Sequence, residues 1–374
     1  MQAFSTFCLD VDPRTRIREL YITDKYVVAP GSHTVVHSFA CLQCQQTPAG
    51  EACPNNHAVI KTGPIWDSAC HPTSNLMLTA SFEGKIVLWD LTTGAYIRGF
   101  SHEQNAHKVV FLDGSSTFAS ASRGGDIMLW TSTAGEPTDV LRAYAGGSIA
   151  MLLKLDNGSD GNFLAASYGD GAVRIWDLAT KTCARVLAGH AEGINILSLA
   201  PGPDSHRLRV GRLGVLRIWD WKTGTLIAHL EDAECRANEQ LFDDVGGSGL
   251  MLTYGLPGNV HAWTQDGVRV GAAHAAHDAP LRTLARLDDR LVVSVGTKDG
   301  RVKVWRWGPG RADGERKRWL FDLFSGTWMV RTVVAASGRL AIATQEKDSG
   351  LHHVRIWDLE AVRAFAASHI DKET

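Results

Sequence analysis

The chain has 374 residues, 44% of them apolar, a formal net charge of −2 and seven cysteines. The apolar share is ample for a sizeable core. A charge near zero argues against a general nucleic-acid binder, which needs a positive field to displace counterions, though not against a local basic patch. The cysteines are too few for a disulfide scaffold, no run approaches the ~18 apolar residues of a membrane span, and residues 1–13 lack the basic and apolar stretches of a signal peptide. A reducing compartment, cytosol or nucleus, is the expectation.

In chain order, residues 17–23, 25–29 and 33–39 read as three short strands, and 57–62 as a fourth after an insertion. The insertion holds Cys41-Leu42-Gln43-Cys44 and then Cys53-Pro54-Asn55-Asn56-His57. Structural zinc takes four tetrahedral nitrogen or sulfur ligands, and short C-x2-C and C-x3-H arms can chelate from one loop. Cys41, Cys44, Cys53 and His57 are therefore a candidate zinc set that would order the loop. The alternative is a polar insertion with incidental thiols, Cys41 facing the fold as a small hydrophobe. No other cofactor is called for.

From Gly63-Pro64-Ile65-Trp66 onward one unit recurs. Lys85-Ile86-Val87-Leu88-Trp89-Asp90-Leu91 returns as Ala172-Val173-Arg174-Ile175-Trp176-Asp177-Leu178, as Val215-Leu216-Arg217-Ile218-Trp219-Asp220 and as His353-Val354-Arg355-Ile356-Trp357-Asp358-Leu359. Weaker copies end at Trp130, Trp263 and Trp305. Successive tryptophans stand 41, 46, 43, 44, 42 and 52 residues apart. That is the ~40–45-residue spacing of a four-stranded propeller blade. Two short apolar runs precede each copy, and turns such as Thr92-Thr93-Gly94 follow, which makes four antiparallel strands per unit. A weak helical pattern occurs at 360–367.

On these residues the chain resembles the WD40-repeat proteins over essentially its whole length. The Trp-Asp pairs at 89/90, 176/177, 219/220 and 357/358, Gly189-His190 and the opening at 63–66 carry the resemblance. It implies an all-β propeller over 3–367, with 40–57 as a loop insertion and 368–374 as a tail. With His37-Ser38 in the Trp-Asp place, third strands end near 37, 89, 130, 176, 219, 263, 305 and 357, which favours eight blades. Seven blades, with 1–62 as a separate cap, is the alternative. The family closes by pairing strands from both chain ends, so Ser5–Val11 is expected beside 328–335, 339–344 and 352–359. The sixth blade is the weakest, because its expected first strand, 239–245, is polar.

The resemblance also implies a buried network of His, Ser or Thr, Asp and Trp, the Asp six residues before the Trp. The seventh blade offers His277, Thr297, Asp299 and Trp305. The second has Ser81, Glu83 and Trp89, the fourth Tyr168, Asp170 and Trp176, and the third and fifth have Gly124 and Leu213 in the Asp place. Spacing that tracks the repeat marks a structural set and not a catalytic triad. Gly189-His190-Ala191-Glu192 reads as a repeat marker on the same grounds.

Just before each turn Asp stand Phe82, Arg123, Gly169, Arg212, Leu256, Lys298 and Gly350. Arg123, Arg212 and Lys298, with Arg282 near the start of a first strand and Trp66 and Tyr168 for aromatic contact, are candidate partner-binding residues. Guanidinium groups favour carboxylates and phosphates, so an acidic or phosphorylated segment is the expected ligand. The competing reading is an ordinary solvated surface. A basic tip at 311–319, with Arg316-Lys317-Arg318, reads as an exposed hairpin.

The implied function is a non-catalytic scaffold or adaptor whose partners are other proteins. The alternative is a substrate-recognition subunit of a cullin–RING ubiquitin ligase; family members of that kind carry an F-box ahead of the propeller, and this chain starts almost directly at its first blade. No nucleophile elbow, phosphate loop or paired acid motif argues for an enzyme or a small-molecule substrate. RNA association rests on the basic tip and the Cys/His loop alone, and no membrane partner is expected.

Overall fold

A computed structural model describes residues 5–11, 20–23, 25–31, 34–38, 57–71, 73–102, 105–112, 116–142, 147–156, 162–189, 198–201, 206–212, 215–231, 250–254, 259–264, 266–273, 277, 281–288, 291–296, 299–306, 319–325, 328–346 and 352–370. These form eight antiparallel sheets, seven of four strands and one of three, in the meander order of propeller blades. The three-stranded sheet comprises Leu250–Tyr254, Val260–Thr264 and Arg269–Ala273. Its expected first strand at 239–245 falls outside the described residues. Complete four-stranded blades therefore number seven, against the eight favoured from the sequence. The all-β propeller class stands.

The chain packs as two compact units, Thr62–Glu231 and Met1–Lys61 with Asp232–Thr374. In the first, four consecutive sheets run from Ile65–Cys70 to Thr225–Glu231, and Ile65–Cys70 and Ile149–Asp156 both lie beside Ala106–Phe111. In the second, Ser5–Val11 pairs antiparallel with His352–Asp358, in register from Phe7↔Ile356 to Val11↔His352. That pairing covers an edge that would otherwise be open to another chain. The neighbouring sheet holds Tyr21–Ile22, Tyr26–Ala29, Thr34–Ser38 and His57–Ile60. Leu20, Val27 and Ala29 of that region pack on Ala341, Ala343, Val354 and Ile356.

The repeated Trp-Asp pair has a local cause. Asp90 Oδ1 accepts the amides of Thr92 (2.6 Å) and Thr93 (3.2 Å), Asp177 Oδ1 those of Ala179 and Thr180, and Asp220 Oδ1 those of Lys222 and Thr223. Each carboxylate thus fixes the turn into the fourth strand. The turn ends in the left-handed region, with φ +71° at Gly94 and +78° at Gly224, but at the matching place of the fourth blade stands Lys181 at φ +61°. In the last blade Asp358 instead accepts the amide of Ala361 and caps the helix Leu359–Ile370. This helix runs past 367, so the expected tail begins inside it. Its Leu359, Val362 and Ala366 are buried on Leu287, Leu291 and Leu323, and Phe365 meets Phe321 edge to face at 4.8 Å.

Candidate functional site

In five first strands the register with the second strand slips by one residue near the start: between Ile65 and Asp67, Ala106 and Lys108, Ile149 and Met151, Leu281 and Thr283, and Val330 and Thr332. A bulge leaves one residue outside the ladder and re-aims its side chain. Here that residue is Trp66, His107, Ala150, Arg282 or Arg331.

In the 62–231 unit the bulge row meets the turn row. Trp66 is 40% exposed and Phe82 is 48% exposed. Their rings stand 5.4 Å apart at 46°, and Trp66 also stacks on His107 at 4.7 Å and 15°. Phe82 opens the turn after Leu76–Ser81, and Arg123 occupies the same place after Thr117–Ser122. The Ser81 hydroxyl accepts the Lys85 amide, and the Ser122 hydroxyl those of Gly124 and Asp126, which holds both turns out from their sheets. Gly125, at φ +90°, is required: a Cβ there would lie 2.6 Å from the Gly147 carbonyl oxygen.

Arg123 is exposed, and its guanidinium makes no ion pair among the described residues. Burial, then the charges of Arg123 and Lys108, hold the His107 imidazole below its ordinary value of 6.5. Lys108 itself is engaged: Nζ donates to Asp67 Oδ1 at 2.8 Å, while Asp67 Oδ2 accepts the Val109 amide at 2.9 Å, which ties two first strands together. His107 was missed from the sequence, where its bulge position leaves no mark, and Phe82 was seen merely as an apolar member of the turn row.

Of the other candidates, Arg282 is exposed in the second unit; its Nε donates to the Arg331 carbonyl oxygen, and Arg331 donates to Gln345. Arg212 ends the strand Arg207–Arg212, and Lys298 lies outside the described residues. Tyr168 is not a surface contact. It is fully buried with the cluster of Leu164, Ala166 and Trp176, and the Arg174 guanidinium lies 4.5 Å from its ring centroid. Arg174 in turn holds both oxygens of Asp170, at 3.2 and 2.7 Å. Position 168 is the buried end of its strand, so the ring joins the sheet packing and burial pushes its phenol up.

The buried network of the seventh blade is His277, Asp299, Ser294 and Trp305. His277 Nδ1 stands 2.5 Å from Asp299 Oδ2, His277 Nε2 is 2.7 Å from Ser294 Oγ, and Trp305 Nε1 donates to that Oγ at 2.5 Å. The hydroxyl is Ser294's, not the expected Thr297's, which lies outside the described residues. The register explains it: Val292 is the direct partner of Trp305, and the next residue on the same face is Ser294. Ser81 was misplaced likewise, because Trp89 bonds Thr79, two beyond its partner Met77. The order Ser–His–Asp is that of a triad, but Ser294 is fully buried and its oxygen already takes the indole N–H, so this is a clasp between strands.

Cys41, Cys44, Cys53, His190 and the 311–318 tip lie outside the described residues, and His57 opens the strand His57–Ile60. Among the described residues no three His, Cys, Asp or Glu side chains gather as a metal site, and no helix is long and apolar enough to cross a membrane.

Repeated four-stranded sheets, Trp-Asp turns and tryptophan–hydroxyl bonds define a β-propeller class of fold. The chain carries repeats similar to those of the WD40-repeat proteins: the family model described as WD domain, G-beta repeat matches residues 54–90 and 136–177. It is 28% identical over 158 residues to protein tipD of Dictyostelium discoideum, covering 41% of this chain and 26% of that protein. It is 24% identical over 285 residues to the guanine nucleotide-binding protein subunit beta of Zea mays, covering 72% of each. The crystal structure of the computationally designed Ika8 protein shares the fold, with TM-score 0.70 and 19% identity, over 95% of this chain and 99% of that one.

Proposed function

We propose that this chain is a non-catalytic scaffold that holds an acidic or phosphorylated segment of another protein. The observation that carries the reading is Arg123, an exposed guanidinium with no ion pair among the described residues, on the turn after the strand that pairs with that of His107, whose ring stacks on the exposed Trp66. Such a guanidinium receives carboxylates and phosphates in bidentate geometry. Arg212 and Lys298 share its place in the repeat, and Arg282 belongs to the bulge row. The eight sheets support a reading of eight blades.

Arg123→Glu combined with Arg212→Glu tests it. Co-purifying partners should be lost from the variant while its thermal melt is kept. An unchanged partner set overturns the acidic-segment reading. Zinc in the Cys41–His57 loop is a separate proposal: about one equivalent in purified protein, lost with Cys44→Ser, is expected of it, and zinc well below one equivalent, unchanged by that substitution, ends it.

A further inference from the structure

We infer that Trp66, Phe82, His107 and Arg123 form one docking site, and that its occupant is a protein segment carrying a bulky apolar side chain next to a carboxylate or phosphate. This deepens the acidic-segment reading and rests on it. The apolar half is Trp66 and Phe82. Soluble proteins do expose single aromatics, but here two, at 40% and 48%, lie against each other with ring centroids 5.4 Å apart and present a joint apolar surface. One face of the indole is already covered by His107. The bulge and the turn that present these rings are both fixed by backbone hydrogen bonds, so little ordering entropy is lost on binding.

The polar half sets the sign of the ligand. Arg123 follows Ser122, the cross-strand partner of Ala106 beside His107, and Lys108 is held by Asp67 at 2.8 Å, which leaves Arg123 as the exposed cation next to His107 among the described residues. A cationic or methylated-lysine side chain on the rings would face that guanidinium, and like-charge repulsion disfavours it. An aromatic or long aliphatic anchor packs on the exposed parts of the two rings, and an acid beside it meets Arg123. A nucleic-acid strand would need a broader positive field than a chain of net charge −2 provides.

The test is selection of a phage-displayed random dodecapeptide library on the full chain. A fluorescein-labelled peptide with one phenylalanine among glutamates, and its glycine-for-phenylalanine and lysine-for-glutamate versions, follow as probes in anisotropy titrations. Selected sequences should share an apolar anchor beside an acid. The phenylalanine–glutamate probe should bind at least tenfold more tightly than either altered version. Trp66→Ala, Phe82→Ala and Arg123→Glu should each weaken it at least tenfold with melting temperatures retained, and Lys85→Ala should not. If the glycine version binds equally well and is still lost with Arg123→Glu, the aromatic anchor is wrong while the acidic-segment reading survives. If no peptide is enriched and no probe binds, both fall. Tighter binding of labelled oligouridine than of any peptide, lost with Trp66→Ala, assigns the site to RNA and also overturns the inference.

Discussion

Ser120 Oγ accepts a 2.8 Å hydrogen bond from Trp130 Nε1 across two neighbouring strands, and both residues are buried. Ser120 lies two residues beyond Phe118, the direct cross-strand partner of Trp130. The same diagonal joins Trp89 to Thr79, Trp263 to Thr253 and Trp305 to Ser294. Side chains two apart on a strand share a face, so this one position can reach the indole N–H. In the fourth, fifth and last blades, whose tryptophans pair with Leu164, Leu208 and Leu340, it holds Ala166, Val210 and Ile342.

Val210→Thr should therefore stabilise the protein. Trp219 Nε1 is buried without an acceptor, and threonine has nearly the shape of valine. Satisfying a buried N–H offsets ~1 kcal/mol against the desolvation of a new hydroxyl. A raised melting temperature is expected, where a hydroxyl placed elsewhere in a core lowers it. Ser120→Ala is the converse, with a loss of ~1–2 kcal/mol from the orphaned Trp130 N–H. Equal melts for Val210→Thr and the parent would show that the diagonal has no energetic weight.

Asp299→Ala leaves His277 buried without its carboxylate and removes a support of Ser294 and Trp305. A loss of ~2–4 kcal/mol follows for a buried, hydrogen-bonded charge partner. Urea unfolding of this variant beside an exposed control, Glu83→Ala, measures it, and equal midpoints would refute it.

His352 and Asp299 are among the groups that make stability depend on acid pH. Burial, then Arg331 and His353, lowers His352 from 6.5 to about 4. As pH falls below 6.5 the unfolded chain takes up a proton that the folded chain refuses, so stability is lost progressively down to about pH 4. Burial alone would raise Asp299, but the hydrogen bond and charge of His277 and the Arg301 amide hold it below 3.8. The folded chain keeps that carboxylate ionised where the unfolded one is protonated, and stability falls further as pH drops below 3.8. Melting temperature should decline from pH 7 to pH 4.5, by an amount corresponding to the order of 1 kcal/mol, and His352→Gln should flatten this slope. An equally steep slope in that variant would assign it to other groups.

Lys181→Gly should be neutral to stabilising. A lysine at φ +61° sits in a region that costs ~1 kcal/mol for a residue with a Cβ, and glycine holds the same place in two other turns. The loss to set against this is the half-exposed ion pair of Lys181 with Asp139 at 2.7 Å, worth a few tenths of a kcal/mol. Thermal melts of Lys181→Gly beside Lys181→Ala separate the two: alanine loses the ion pair and keeps the strain, so it should melt lowest.

The sequence by itself determined the repeat, the strand type and the turns after Asp90, Asp177 and Asp220. These follow from period-2 apolar runs and from Asp side chains that bond amides two and three residues on, and both are local properties of the chain. Tertiary structure alone decided which hydroxyl meets each tryptophan, that Tyr168 is buried beneath Arg174, and that His107 backs Trp66. The physical reason is that these depend on cross-strand register and on a one-residue bulge, which reverses or re-aims a side chain without changing the hydrophobic pattern from which strands are read.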